Sequence, residues 1–328
     1  MRQIKIISTG KYLPKKQVTA EELAISLNLT PDWIEKKSGV LIRHFVDGET
    51  ASEMGAFAAK NALIAANLSI NDIDCIISTS SVPEQAIPCT AALIQAKLGA
   101  ENSGIPAFDI NATCLSFITA FDTISYLVAA GRFNRVLLVA SEVATGLNWE
   151  EKESCTLFGD GAAAVIIAKS DSHESSHLIC SRMETYSKGA RLAECRGAGN
   201  KHHPKEYAEN PAYFLFKMDG KAIYRLALEI LPDFLERLLQ PAGLAIADID
   251  MVIPHQASLM AMRLMQKQLN LPNEKLIRIV QNHGNTIAAS VPMALHEAII
   301  QGKIKRRDRI MLLGTAAGFS IGGIVLEY

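Results

Sequence analysis

Neither sign of charge prevails in this sequence: 33 Lys and Arg stand against 34 Asp and Glu, for a formal net charge of −1. Without a positive surplus there is no global electrostatic footprint for nucleic acid. One local basic run (Lys303, Lys305, Arg306, Arg307 and Arg309) fits a solvated loop better than a site for an acidic partner. Aromatics are only 6% of the chain, while Ala, Ile, Leu and Gly are plentiful, which suits helices packed closely on sheets. The six cysteines (Cys75, Cys89, Cys114, Cys155, Cys180 and Cys195) show no C-x-x-C spacing, which argues against a disulfide framework or a zinc site. No apolar stretch reaches about 18 residues without polar breaks, so no membrane span is expected. Residues Met1 to Ser8 lack the apolar run and cleavage site of a signal peptide, and a reduced, cytoplasmic protein is the expectation.

What is present is a large apolar fraction, 49% of 328 residues, enough for one big domain or two fused halves. Short β-rich runs alternate with longer helical ones. Strands are expected at Ile4–Thr9, Cys75–Ser78, Ala107–Ile110, Arg135–Ala140 and Ala162–Ala168. The last two are near-continuous apolar runs, as in a sheet covered on both faces. Ala91–Leu98 reads as a helix, and Ser116 to Ala130 as a helix apolar nearly all round, hence buried. The second half repeats the style. Helices are expected at Gly220–Leu239, Leu259–Leu269 and Ala288–Gln301, with strands at Met251–Pro254, Leu276–Val280, Arg309–Leu313 and Gly322–Leu326. The segment from Lys169 to Asn210, rich in Ser, His, Gly and Lys, reads as the crossing between two related α/β units.

Three short segments carry residues with chemistry. Asn111-Ala112-Thr113-Cys114 places a cysteine between a strand and a buried helix, where unpaired N–H groups and the helix dipole favour a thiolate. A thiol of pKa near 8.5 is about 3% ionised at pH 7, and a shift to about 6.5 would raise that to roughly three-quarters. Taken alone, Cys114 also fits a small buried apolar residue. His255 follows an apolar strand and equally fits a satisfied core histidine. Asn285 follows Gly284, a pairing that usually marks a turn. Gly314 to Ser320 is a small-residue loop that lets backbone approach a ligand, or simply a tight turn between strands. Phe158-Gly159-Asp160-Gly161 reads as a structural turn into a strand.

Together these segments resemble the β-ketoacyl-acyl carrier protein synthase III family of the thiolase superfamily. The resemblance runs nearly end to end, from Ser8-Thr9-Gly10-Lys11-Tyr12-Leu13-Pro14 to the last strand. Its motifs are Trp33-Ile34 with Gly39, Cys114 after Asp109-Ile110-Asn111, the Phe158 turn, Pro254-His255-Gln256-Ala257, and His283-Gly284-Asn285-Thr286. It implies an α/β, thiolase-like fold of two related halves, residues 1–170 and 171–328, layered α-β-α-β-α. It further implies a catalytic triad of Cys114, His255 and Asn285, with an oxyanion hole from the backbone N–H groups of Cys114 and Ala317. Cys114 would take an acyl group from a thioester, and malonyl-acyl carrier protein would then condense with loss of carbon dioxide. His283 is expected to be structural. No metal, nucleotide cofactor or flavin is called for, coenzyme A and acyl carrier protein thioesters being substrates. A homodimer is implied.

Departures from the family pattern fall on substrate recognition. Trp33 matches the tryptophan that stacks on the coenzyme A adenine, but the flanking arginines of that clamp appear as Lys37 and Lys152. Phe158 also belongs to the expected substrate channel. Ser258 and Met260 stand where the family has asparagine and a carrier-docking arginine, with Arg263 or Lys267 as substitutes. Ile87, before Pro88, replaces the common phenylalanine at the acyl-pocket tip, and Thr315-Ala316-Ala317 replaces bulkier and glycine residues. These changes predict a specialised paralogue with a longer or bulkier primer. Two alternatives keep the fold: a starter-unit synthase of secondary metabolism, or an acyltransferase without decarboxylation. A non-catalytic partner subunit is disfavoured because Cys114, His255 and Asn285 are all present.

Overall fold

Strand Gly161–Lys169 shows how the sheets are held. Its alternate residues Ala163, Val165 and Ile167 enter one apolar core, and Ala162, Ala164 and Ile166 enter another on the opposite face. A strand buried on both sides has no polar face, so it reads as an unbroken apolar run. The computed structural model describes residues 1–328 except Thr145 and Ala198.

In chain order the strands are β1 (Ile4–Tyr12), β2 (Lys16–Thr19), β3 (Ile42–Phe45), β4 (Cys75–Ser78), β5 (Ala107–Asp109), β6 (Arg135–Glu142), β7 (Gly161–Lys169), β8 (His177–Thr185), β9 (Ala193–Glu194), β10 (Lys217–Met218), β11 (Met251–Pro254), β12 (Arg309–Ala316) and β13 (Ser320–Glu327). One sheet has the order β1-β7-β6-β4-β5 and the other β11-β12-β13-β8. The two share a plan. β1 is antiparallel to β7, β7 to β6, and β6 parallel to β4; likewise β8 is antiparallel to β13, β13 to β12, and β12 parallel to β11.

Helices fill three layers. Helix Ser116–Ala129 and helix Ser290–Ile300 lie in the core between the sheets, with Phe117, Phe121, Met293 and Leu295 facing apolar residues of both. Helix Ala51–Ala65 and Ile94 of helix Thr90–Lys97 cover the outer face of the first sheet. Helix Gly220–Leu239 covers the outer face of the second, with Met265 of helix Leu259–Gln268 beside it. The result is the α-β-α-β-α sandwich expected for two related α/β halves. No helix among the described residues is long and apolar enough to cross a membrane.

Three expectations need correction. Lys169 to Asn210 is not only a crossing, because it contains β8, the edge strand of the second sheet. Helix Ser116–Ala129 is not buried all round, since Tyr126 is 59% exposed. The expected strand Leu276–Val280 shrinks to a single parallel bridge, Val252 to Leu276. There the side chain of Gln256 takes over from a ladder. Its carbonyl accepts the N–H groups of Ile279 (2.8 Å) and Val280 (3.2 Å), while its amide donates to the carbonyls of Pro254 (2.8 Å) and Ile277 (3.2 Å). The chain then turns into the short helix Val280–His283.

The halves also meet backbone to backbone. Asn285 N–H donates to the Leu157 carbonyl at 2.8 Å, and Gly159 N–H to the Asn285 carbonyl at 3.2 Å. A Cβ at Gly159 would stand 2.4 Å from the His283 carbonyl oxygen, so the turn entering β7 needs glycine for close approach. Gly159→Ala is expected to lower the unfolding free energy by about 3 kcal/mol in a denaturant titration. Gly220→Ala, where a Cβ would meet nothing nearer than 3.6 Å, should stay within about 0.5 kcal/mol of the parent.

Candidate active site

Cys114 sits on a strained elbow between β5 and helix Ser116–Ala129. Thr113 just before it has φ of 52°, the left-handed region that a β-branched residue rarely enters. Polar contacts on both sides hold that geometry. Thr113 N–H donates to the Asn111 side-chain oxygen (2.8 Å) and Asn111 Nδ2 to the Ser81 carbonyl (2.7 Å). Ser116 Oγ donates to the Thr113 carbonyl at 2.6 Å and accepts the Ala112 N–H at 2.9 Å. Thr113 Oγ1 reaches the Ala317 carbonyl at 3.3 Å, tying the elbow to the β12–β13 turn.

That turn brings a backbone donor to the sulfur. The backbone N–H groups of Ala317 and of Cys114 itself act on Sγ in favour of its ionised form. The turn closes through Gly318 (φ 87°) and Phe319 (φ 50°). The same strand fixes His255, whose N–H donates to the Leu313 carbonyl at 2.8 Å. Gly314 lies between His255 and Leu115, and a Cβ there would be 3.1 Å from each side chain. Ser290 Oγ is 2.6 Å from His255 Nδ1. The imidazole also borders a narrow, mostly apolar cavity of about 90 Å³ lined by Tyr224, Ala257, Ala261, Met262 and Thr315.

Asn285 is oriented by its own turn. Its side-chain oxygen accepts the Ile287 N–H at 2.9 Å, and Nδ2 lies 3.4 Å from the Ala257 carbonyl, two residues past His255. With the oxygen so engaged, the NH2 group is the end left to face a ligand. His255 and Asn285 are 8% and 6% exposed. The structure thus gathers Cys114, Ala317, His255 and Asn285 around the end of β12.

Electrostatics overturn one expectation. Although Cys114 is only half-buried, desolvation by the protein packed round it, then the charge of Glu142, pushes its thiol up to about 12, and the N–H groups of Ala317 and Cys114 only partly oppose this. The helix N-terminus therefore does not yield a resting thiolate. Burial also lowers His255 to about 4, so the resting pair is a neutral thiol and a neutral imidazole. Sequence reasoning missed Glu142. It is fully buried at the end of β6, accepts the N–H groups of Ser81 (2.5 Å) and Val82 (3.4 Å), and is raised by burial to about 8. An acidic residue ending a strand as apolar as Arg135–Glu142 was the available signal.

The other expected residues disperse. Phe158 is bridged to Asn285 and packs edge-on against Phe216 at 5.5 Å, so it borders the site. Trp33 and Lys37 share the short helix Pro31–Ser38, with the Lys37 ammonium 5.8 Å from the indole. Lys37 pairs with Glu153 at 2.8 Å, and the neighbouring Lys152 donates to the Leu27 carbonyl at 3.0 Å. These three form a surface patch rather than part of the triad. Ile87 stands apart on a loop, 85% exposed. Ser258 caps helix Leu259–Gln268 by accepting the Ala261 N–H, and Met260 is 52% exposed. His283, with Nδ1 3.0 Å from the Ile279 carbonyl, faces Glu297 at 3.7 Å. Among the described residues, no group of three or more His, Cys, Asp or Glu side chains is placed to hold a metal.

A thiol raised this far reacts as a nucleophile only through its minor ionised fraction. Alkylation of Cys114 by iodoacetamide is expected to be slow at pH 7 and to rise about tenfold per pH unit through pH 9. A plateau below pH 8 would contradict the neutral resting state. Peptide mass spectrometry gives the rate at Cys114 separately from the exposed Cys195.

Comparison with known proteins agrees with this fold. Residues 108–187 match the family model for 3-oxoacyl-[acyl-carrier-protein (ACP)] synthase III, and residues 239–328 match its C-terminal counterpart. The β-ketoacyl-[acyl-carrier-protein] synthase III of Aquifex aeolicus is 36% identical over 99% of both chains. That of Neisseria gonorrhoeae is 34% identical over the full length of both. Among solved structures, the Aquifex aeolicus 3-oxoacyl-[acyl-carrier-protein] synthase III superposes with TM-score 0.90 at 34% identity, covering 99% of this chain and 100% of the other. A priming β-ketosynthase from a polyketide biosynthetic pathway gives 0.89 at 27% identity, covering 99% and 96%. Full-length identity above 30%, the shared fold and the gathered cysteine, histidine and asparagine lead to one conclusion: this chain belongs to the β-ketoacyl-acyl carrier protein synthase III family of condensing acyltransferases.

Proposed function

We propose that the chain condenses an acyl group carried on Cys114 with malonyl-acyl carrier protein, as an initiating step of fatty-acid synthesis. What supports this reading is the strained elbow that carries Cys114, tied through Thr113 Oγ1 to the Ala317 carbonyl of the β12–β13 turn, with the His255 N–H anchored on the Leu313 carbonyl of β12. In the first half-reaction the thiol attacks an acyl thioester. Its proton leaves with the departing thiol, and the acyl group stays on sulfur. The tetrahedral oxyanion lies between the two N–H groups, each such donor typically contributing about 3 kcal/mol.

In the second half-reaction malonyl thioester loses carbon dioxide. Its thioester oxygen, where enolate charge collects, accepts hydrogen bonds from His255 and from the Asn285 NH2 group. The carbanion attacks the acyl-cysteine carbonyl, and collapse releases the 3-ketoacyl thioester and the Cys114 thiolate, which takes a proton from solvent to restore the thiol. None of these steps calls for a metal or a nucleotide cofactor.

Trp33, Lys37 and Lys152 form the patch proposed to receive the coenzyme A nucleotide, with Phe158 on the channel wall beside Asn285. Lysine at 37 and 152 cannot stack and fork as arginine does, which weakens that grip. Arg263 and Lys267, both exposed on helix Leu259–Gln268 with Met260, supply the basic face for carrier docking. The exposed Ile87 loop is covered in a homodimer, where it shapes the partner's acyl pocket. The halves divide at 170/171, between the end of β7 and the start of β8. A cytoplasmic location fits this chemistry. A second reading, a starter-unit synthase of secondary metabolism, is favoured by the likeness to the polyketide priming synthase.

Intact-protein mass spectrometry with coenzyme A thioesters of increasing chain length should show one acyl adduct, absent in Cys114→Ala and formed to the greatest extent with primers longer than acetyl. Carbon dioxide release from labelled malonyl thioester should accompany turnover. An adduct without that release would make the protein a non-decarboxylating acyltransferase. Acetyl as the best primer would refute a specialised chain-length role.

A further inference from the structure

We propose that Ser290 is the positioning residue that fixes the tautomer of His255, leaving its Nε2–H as the donor to the ligand; this rests on the condensing function proposed above. Ser290 is the first residue of helix Ser290–Ile300 and is fully buried in the layer between the sheets. Its Oγ has two polar neighbours at hydrogen-bond distance among the described residues: the Gln256 N–H at 3.3 Å and His255 Nδ1 at 2.6 Å. The first can only donate, so Oγ accepts from it. The hydroxyl proton then has one acceptor within reach, His255 Nδ1.

The reverse arrangement, with Nδ1–H donating to Oγ, leaves the hydroxyl proton unpaired in a buried place, which is the costly case for a polar group. A neutral imidazole that accepts at Nδ1 carries its proton on Nε2. His255 is then a hydrogen-bond donor to the ligand oxygen and no acceptor at that nitrogen. The backbone makes the placement rigid. Gln256, whose N–H sets the direction of the hydroxyl, is itself pinned by four side-chain hydrogen bonds to Pro254, Ile277, Ile279 and Val280.

The two half-reactions separate this role from a structural one. Donation from Nε2 matters where charge builds on the malonyl thioester oxygen, whereas acylation of Cys114 relies on the N–H groups of Cys114 and Ala317. Ser290→Ala should slow carbon dioxide release from malonyl thioester about 10- to 100-fold, with Cys114 acylation within about threefold of the parent. Ser290→Thr, which keeps the hydroxyl, should recover most of the lost rate.

Nitrogen NMR of histidine-labelled protein should show His255 neutral and protonated at Nε2 at pH 7, with that form depleted in Ser290→Ala. A parent protein protonated at Nδ1 overturns the proposal, and this reading needs no folded variant. Equal losses in both half-reactions overturn it as well. A parent that neither acylates Cys114 nor releases carbon dioxide sinks the condensing function instead, while the NMR result still decides the tautomer.

Discussion

The carboxamide of Gln256 is the joint on which the site's second half depends. One side chain meets four backbone groups, on β11 and on the segment Ile277–Val280 that leads to Asn285. Strand β11 ends at Pro254, which has no N–H to extend a ladder. The amide supplies donors and acceptors where the ladder stops. His255, immediately before it, and Asn285, a short helix beyond it, therefore keep a fixed separation. Buried networks in which every polar group is paired are the ones that specify a single geometry.

The second constraint is contact between backbones of the two halves. Glycine at 159 and at 284 lets the turn into β7 meet the Asn285 turn with no side chain between them; a Cβ on Gly284 would be 3.0 Å from the Leu157 carbonyl. Asp160 fixes the same turn by accepting the Val46 and Ala144 N–H groups at 2.9 and 2.8 Å. Asn285 is thus carried by the second half and braced by the first. Cys114 is in the opposite position, on the first half but tied through Thr113 to the β12–β13 turn of the second. Each half holds the other's reactive group in place.

Much of this was legible in the chain. Runs such as Arg135–Ala140 and Ala162–Ala168 announced doubly covered strands because no polar face interrupts them, and helix Gly220–Leu239 was readable from its apolar periodicity. The three motifs located Cys114, His255 and Asn285 through resemblance rather than through any local rule. What could not be read was long-range. β8 is mostly of mixed burial and lies in a polar stretch, so it has no apolar signature. Leu276–Val280 has the composition of a strand, yet a side chain replaced its ladder. The protonation of Cys114 depends on Glu142, 28 residues away in sequence, and on burial that no local pattern reveals. Ser290, inside an apolar helix start, gave no sign of facing His255.

The neutral resting thiol has a bearing on how readily the sulfur is oxidised. Peroxide attacks thiolates, and the sulfenic, sulfinic and sulfonic acids that follow need that first step. A thiol held protonated by its surroundings gives oxidants little to attack until a substrate thioester occupies the site. The desolvation that makes Cys114 a reluctant nucleophile therefore also lowers the fraction of sulfur that an oxidant can attack.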